Sequence, residues 1–221
     1  MYYPFFMQRN GMRRFYFSVA YFLLAISLMG QNAKEILSKV NAEMTKNQRV
    51  TLGFDLVIKE AERKSFTTKG MAYQKGNLFY IDNKYLSQIY DGKHLYTIAH
   101  KNKLIQITNY SEKETDNLLS PFIIAKLYET KKYEYQLVED PSTKDFTIEF
   151  KPIKKNTDFF KIRLKISPKY ELKEALLFEK NGTRYTLKVK KIDTVSDIQA
   201  SKFVYSKADF SKYKIEDLRL D

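Results

Sequence analysis

Val50-Thr51-Leu52-Gly53-Phe54-Asp55-Leu56-Val57-Ile58-Lys59 is the stretch on which the fold turns. Val50, Leu52, Phe54, Leu56 and Ile58 recur at every second position, with Thr51, Gly53, Asp55 and Lys59 between them. A period of two puts the apolar set on one face of an extended segment, so this is a long strand half-buried against a core. Upstream, Ala33, Ile36, Leu37, Val40 and Met44 recur at helical spacing and predict an amphipathic helix over 33–46. Downstream, further strands are expected at 66–74, 77–82, 86–90, 94–99 and 103–108. The series resumes at 133–138, 145–151, 159–167, 171–179 and 183–192, with a short piece at 202–206. Lys75-Gly76-Asn77, Asp91-Gly92 and Asn181-Gly182 have the chemistry of tight hairpins, where the backbone must reach positive φ. About eleven closely spaced strands joined by short turns mean antiparallel sheet, and so many strands curl into a barrel or split into a sandwich.

One segment interrupts the strands. In Asn117-Leu118-Leu119-Ser120-Pro121-Phe122-Ile123-Ile124-Ala125-Lys126-Leu127-Tyr128, Ser120 suits an N-cap and Pro121 the first helical position. Only Lys126 is clearly polar within the helix, and so broad an apolar surface must be buried. Lying between two blocks of strands, the helix can serve as an ordinary core element or as a plug for the mouth of a curled sheet.

The N-terminus speaks to destination. Met12-Arg13-Arg14, an apolar run from Phe15 to Met29, then Gly30-Gln31 has the form of a secretory signal peptide. The run falls short of the ~20 apolar residues of a spanning helix; an uncleaved anchor is the competing reading. Met12 is an alternative start to Met1. Cleavage after Gly30 takes 30 residues from 221 and leaves 191, enough for one well-buried domain over 31–221, with no linker-like composition inside it. With no cysteine in the sequence, neither a disulfide nor a cysteine-linked lipid anchor is expected.

Charge and chemistry narrow the function classes. Removing Arg9, Arg13 and Arg14 takes the net charge from +13 to +10. In Phe160-Lys161-Ile162-Arg163-Leu164-Lys165-Ile166 cations alternate with apolar residues, and Leu187-Lys188-Val189-Lys190 repeats the pattern. These are expected to be outer faces of a half-buried sheet, not a groove for nucleic acid, although a basic face can favour anionic membranes or an acidic partner. His94 and His100 fit no metal-ligand spacing, so no metal and no cofactor is expected. No Gly-x-Ser-x-Gly elbow and no glycine-rich phosphate loop occurs. The acidic pairs Glu139-Asp140 and Glu216-Asp217 lie in a loop and near the C-terminus. What remains is 16 Phe and 17 Tyr, and a curled sheet with more apolar inner surface than it can fill tends to enclose a ligand cavity.

The order of elements resembles the LolA-type outer-membrane lipoprotein carriers, which take triacylated lipoproteins across the periplasm of Gram-negative bacteria. The resemblance covers nearly all of the region after the signal-like segment. Gln74-Lys75-Gly76-Asn77-Leu78-Phe79 is similar to the family's Lys-Arg-Pro-x-x-Phe hairpin, and Asp91-Gly92-Lys93-His94-Leu95-Tyr96 to its Asp-Gly-Lys-x-Leu-Trp turn. Ser120-Pro121-Phe122 is similar to its Thr/Ser-Pro-Phe lid. Ser201-Lys202-Phe203-Val204-Tyr205 and Glu216-Asp217-Leu218-Arg219 resemble its closing strand and terminal Asp-x-Arg. The departures are Lys75 and Gly76 for Arg-Pro, Tyr96 for Trp, and Ser206-Lys207 for Asn-Pro.

The resemblance implies a mainly β fold, a half-open antiparallel barrel covered by short helices. It implies a monomeric carrier without enzymatic activity, loaded by an inner-membrane ATP-driven exporter and unloaded to an outer-membrane acceptor. Leu52, Phe54, Leu56 and Phe79 would line the acyl-chain cavity. Leu118, Pro121, Phe122, Ile123 and Leu127 would form the lid, and Lys75 would couple to it, without the planar fork of an arginine. Two other readings share the scaffold: a periplasmic sensor or regulator, and a binder of free hydrophobic ligands.

Overall fold

The computed structural model describes residues 32–46, 49–110, 120–195 and 197–219. A helix, α1, occupies 32–45. Six strands follow: β1 (Arg49–Lys59), β2 (Phe66–Lys75), β3 (Leu78–Asn83), β4 (Leu86–Tyr90), β5 (His94–Ala99) and β6 (Leu104–Asn109). The short helix α2 (Pro121–Lys126) precedes β7 (Tyr133–Val138), β8 (Phe146–Pro152), β9 (Phe159–Ile166), β10 (Leu172–Glu179) and β11 (Arg184–Thr194), and β12 (Lys214–Asp217) comes last. The strands form one open sheet in the order β12-β6-β5-β4-β3-β2-β1-β11-β10-β9-β8-β7. Neighbours pair antiparallel, except that β12 runs parallel to β6. This is an unclosed barrel with a helical cover, as the family resemblance implies; the strand count by itself left a sandwich open.

Local chemistry explains the elements. In β1 the even positions from Val50 to Leu56 are buried and their neighbours are not. Gly76, Gly92 and Gly182 all have positive φ, at 62°, 96° and 88°, where a side chain would be strained. Asp91 shows how such a turn is fixed. Its Oδ1 accepts from the Lys93 and His94 amides at 2.8 and 2.7 Å, and Tyr96 donates its hydroxyl to Oδ2 at 3.1 Å. Burial pushes the Asp91 carboxyl up, but the His94 and Lys93 amides and the Tyr96 hydroxyl together leave it below the usual range.

The sheet carries apolar side chains on both faces. The main core lies on the face covered by α1 and α2 and runs from Leu95, Ile81 and Phe79 through β2 and β1 to Ile148 and Phe150 of β8. A second core lies on the other face of β3 to β6, where Ile89, Ile98, Ile105 and Ile107 are covered by Tyr205, Phe210 and Tyr213. The chain between β11 and β12 therefore crosses the back of the sheet before adding its last strand at the far edge.

Two expectations are corrected. The segment 202–206 is not a strand: Ala200–Phe203 forms a 3₁₀ turn with Phe203 buried, and Tyr205 stacks on Tyr96 at 4.7 Å. A segment crossing the face of a sheet meets side chains, not the amides and carbonyls of an edge, so it has no ladder to join. Phe160 does not share the apolar face of Ile162, Leu164 and Ile166. A register shift at Phe178/Glu179 turns Phe160 outward, where it is half exposed and lies 6.0 Å from the ring of Phe178. The cations of β9 do lie on the outer face, but they are half-buried among carboxylates: Arg163 Nε donates to Glu149 at 2.9 Å and Lys165 lies 3.9 Å from Glu174.

Candidate ligand-binding face

The inner face is built by alternation. Leu52, Phe54 and Leu56 of β1 and Phe79 of β3 all point into the main core, the first two being 0% and 3% exposed. Phe54 owes its place to a missing side chain opposite it: a Cβ on Gly70 would stand 2.3 Å from the Phe54 ring and 2.8 Å from the Asp82 carbonyl oxygen. Phe79 is the centre of an aromatic group, 5.5 Å from Tyr90 and 5.6 Å from Tyr110.

The helix α2 is seated on this face as its sequence dictates. Ser120 is the N-cap, its Oγ accepting from the Ile123 amide at 3.4 Å, and Pro121 occupies the first turn, where no amide is required. Pro121, Phe122, Ile123, Ile124 and Ala125 are all buried, and Leu127 follows in a 3₁₀ turn. Leu118 lies outside the described residues. Phe79, Phe122 and Ile123 meet at a narrow cleft whose mouth is lined by Gln74, Asn77, Lys126 and Thr130 and whose volume is about 20 Å³. That is room for about one water molecule. The described cavity and lid residues thus pack on one another in one core.

Lys75 lies in the β2–β3 hairpin, and its two hydrogen bonds go to the crossover behind the sheet. Its Nζ donates to Asp197 Oδ1 at 3.2 Å and to the Ile198 carbonyl at 3.1 Å. Gln74, Asn77, Tyr90 and Tyr110 were not singled out by the sequence reading. Adjacency to Phe79 in the hairpin was a usable signal for the first two. Tyr90 faces Phe79 only through the β3–β4 register.

A polar cluster ties the crossover to the back of the sheet. Ser87, His100 and Asp82 come together behind the sheet, with Ser87 Oγ 2.7 Å from His100 Nε2 and 2.5 Å from Asp82 Oδ1. The carboxylate can only accept, so the one hydroxyl proton of Ser87 is committed to Asp82. His100 must then donate from Nε2, leaving Nδ1 to accept from the Tyr213 hydroxyl at 3.2 Å. Through these contacts the cluster pins the crossover to the sheet. Among the described residues no group of three His, Cys, Asp or Glu is placed to hold a metal ion, and no helix is long and apolar enough to cross a membrane.

An open sheet with an apolar helix over its inner face is the class of fold that these elements define. The sequence places the chain within it: the model of the family described as outer membrane lipoprotein carrier protein LolA matches residues 48–206, and the chain belongs to that family. Among solved structures, an uncharacterised conserved protein from Thermus thermophilus superposes with a TM-score of 0.50 at 12% identity, over 84% of this chain and 99% of that one. A DUF1329 family protein from Desulfovibrio piger gives 0.49 at 13% identity, over 80% and 98%. A LolA superfamily protein from Nitrosomonas europaea gives 0.44 at 13% identity, over 78% and 97%. At these identities the likeness speaks to fold. No curated protein matches the sequence.

Proposed function

We propose that this protein is a periplasmic carrier that shields lipoprotein acyl chains on the inner face of its sheet and moves them from the inner to the outer membrane. The observation that carries the reading is α2, a helix buried almost all round on the inner face of an open sheet. Membership of the lipoprotein-carrier family supports it.

The energetics make such a device necessary and reversible. Each acyl CH₂ is worth about 0.8 kcal/mol, so three chains of roughly 16 carbons would bring on the order of 40 kcal/mol of apolar surface into water, as an upper bound. On this reading α2 packs where the chains would lie and must move to admit them. Phe122, Ile123, Ile124 and Leu127 each gain about 1.5–3 kcal/mol from burial, so opening α2 into water alone costs on the order of 6–12 kcal/mol. Replacing the helix by acyl chains exchanges one apolar surface for another, and the net change is far smaller. That balance suits loading and release.

On this reading residues 1–30 are a secretory signal, 31–221 act as a single monomeric domain without enzymatic chemistry, an ATP-driven exporter of the inner membrane loads the cargo, and an outer-membrane acceptor takes it. The test is a release assay: purified protein is added to spheroplasts displaying newly triacylated lipoproteins, and the supernatant is probed for a complex. Soluble lipoprotein with the wild-type chain, and little with Phe122→Glu, is the expected result. A folded wild-type chain that releases nothing would refute the carrier role.

A further inference from the structure

We infer that one rim of the barrel is a docking surface for anionic phospholipid bilayers. The antiparallel register sorts the strand-to-strand turns between two ends of the sheet. Turns 60–65, 84–85, 100–103, 153–158 and 180–183 share one end, and 76–77, 91–93, 139–145 and 167–171 the other. The first set holds eight Lys and Arg against three Asp and Glu; the second holds three against five. Lys131 and Lys132, leading into β7, add to the basic end. The turn charges are therefore divided by sign between the two ends of the sheet.

Cations at the basic end stand at the surface, Lys180 donating its Nζ to the Lys155 carbonyl. Lys154, Lys155 and Lys180 are exposed, and none of them forms an ion pair among the described residues, whereas the β9 cations on the sheet face are matched by Glu149 and Glu174. Among the described residues, Arg63 is the one of the eight turn cations held by a carboxylate, Glu60 at 2.7 Å.

The same rim carries apolar tips. Of seven large hydrophobic side chains exposed on the described surface, Phe66, Tyr85, Ile153 and Phe160 lie here. Phe66 and Tyr85 meet edge to face at 5.5 Å, and Ile153 directly precedes Lys154 and Lys155. Isolated aromatic and aliphatic tips between lysines match a headgroup layer, which offers anionic phosphate above an apolar boundary. A protein interface of this size would instead gather its apolar residues into one central patch. The inference goes beyond the carrier reading and does not depend on it, since no cargo enters the test.

Co-sedimentation of the full chain with vesicles of phosphatidylglycerol and phosphatidylcholine, or of phosphatidylcholine alone, tests it. Residues 1–31 are common to all variants, so differences between variants report the rim. Binding to the anionic vesicles is expected to fall by roughly thirtyfold or more in Lys154→Glu/Lys155→Glu, taking the usual contribution of a lysine near such a surface. The control Lys144→Glu/Lys169→Glu makes the same charge change at the opposite rim and should lose less than about threefold. Ile153→Ser/Phe160→Ser, which alters no charge, should weaken the binding that persists at high salt. Equal losses in the two charge variants would overturn the proposal, as would wild-type binding no tighter to anionic than to neutral vesicles, the result expected if an acidic protein is the rim's partner.

Discussion

Lys75 Nζ lies 3.2 Å from Asp197 Oδ1 and 3.1 Å from the Ile198 carbonyl, fastening the β2–β3 hairpin to the start of the crossover that runs behind the sheet. Arg49 approaches the same carboxylate at 3.9 Å. Lys75 thus holds the far side of the hairpin whose near side meets α2 through Phe79. Lys75→Met is expected to speed amide hydrogen exchange across 197–205 and leave Ile123 and Ile124 protected. Faster exchange at both sites would mean that the hairpin transmits crossover release to the lid.

Carboxylates held below their usual range give the fold an acid limit, Asp197 and Glu149 among them. The hydrogen bond and charge of Lys75, with the Ile198 amide and Arg49, hold Asp197 below its usual 3.8. Burial pushes Glu149 up, but the bonds and charge of Arg163, with Lys161 and Lys151, outweigh it and leave the carboxyl below 4.5. A group whose folded value is depressed contributes stability above its unfolded value and loses it as the pH falls through the folded one. The urea midpoint should therefore be flat above about pH 5 and fall below pH 4.5. Glu149→Gln should cost about 1 kcal/mol at pH 7 and flatten the acid limb. An unchanged limb in that variant would assign it elsewhere.

Much of this architecture was legible because burial on one face writes itself as period. Val50 to Leu56 of β1, Ile162 to Ile166 of β9 and the α1 stripe were readable for that reason, and Ser120-Pro121 marked the start of α2 by its capping chemistry. Period does not say which face of a strand is inside. Ile98 and Ile105 alternate as cleanly as Leu52, yet they belong to the core behind the sheet. β12 is Lys-Ile-Glu-Asp, with one apolar residue, and is held by its parallel pairing to β6 and by Ile215. The bulge that expels Phe160 depends on the register of β10, which no single segment encodes. The cleft was legible only in its parts: Phe79 and Phe122 were identifiable, but their meeting over Tyr110 is a tertiary fact.

Gly70 tests how tightly the inner face is filled. Its backbone lacks the positive φ that would require glycine, but a Cβ would collide with the Phe54 ring and with the Asp82 carbonyl. The ring can rotate; the carbonyl is backbone in the paired strand. Gly70→Ala is expected to destabilise by about 1–3 kcal/mol, the usual cost of overpacking. Removing the ring in Gly70→Ala/Phe54→Leu should recover only part of that loss, because the carbonyl contact stays. Full recovery in chemical denaturation would locate the strain in Phe54 alone.

The lid gives the most direct test of exchange between helix and ligand. Ile124 is completely buried, whereas Phe122 borders the cleft of about 20 Å³. Ile124→Ala should cost about 2–5 kcal/mol and Phe122→Ala about 3–5 kcal/mol, each partly reduced by relaxation of so short a helix. The variants should differ in their response to a long-chain fatty acid. The Phe122→Ala space opens on the cleft and can take the chain, and a ligand at a hundred times its Kd restores about 2.7 kcal/mol. The Ile124→Ala space is sealed beneath the helix and offers no entry. The denaturant midpoint of Phe122→Ala should therefore rise with added fatty acid while that of Ile124→Ala stays put. Equal responses would mean that the acid binds away from α2, and the helix would lose its role as the element that cargo displaces.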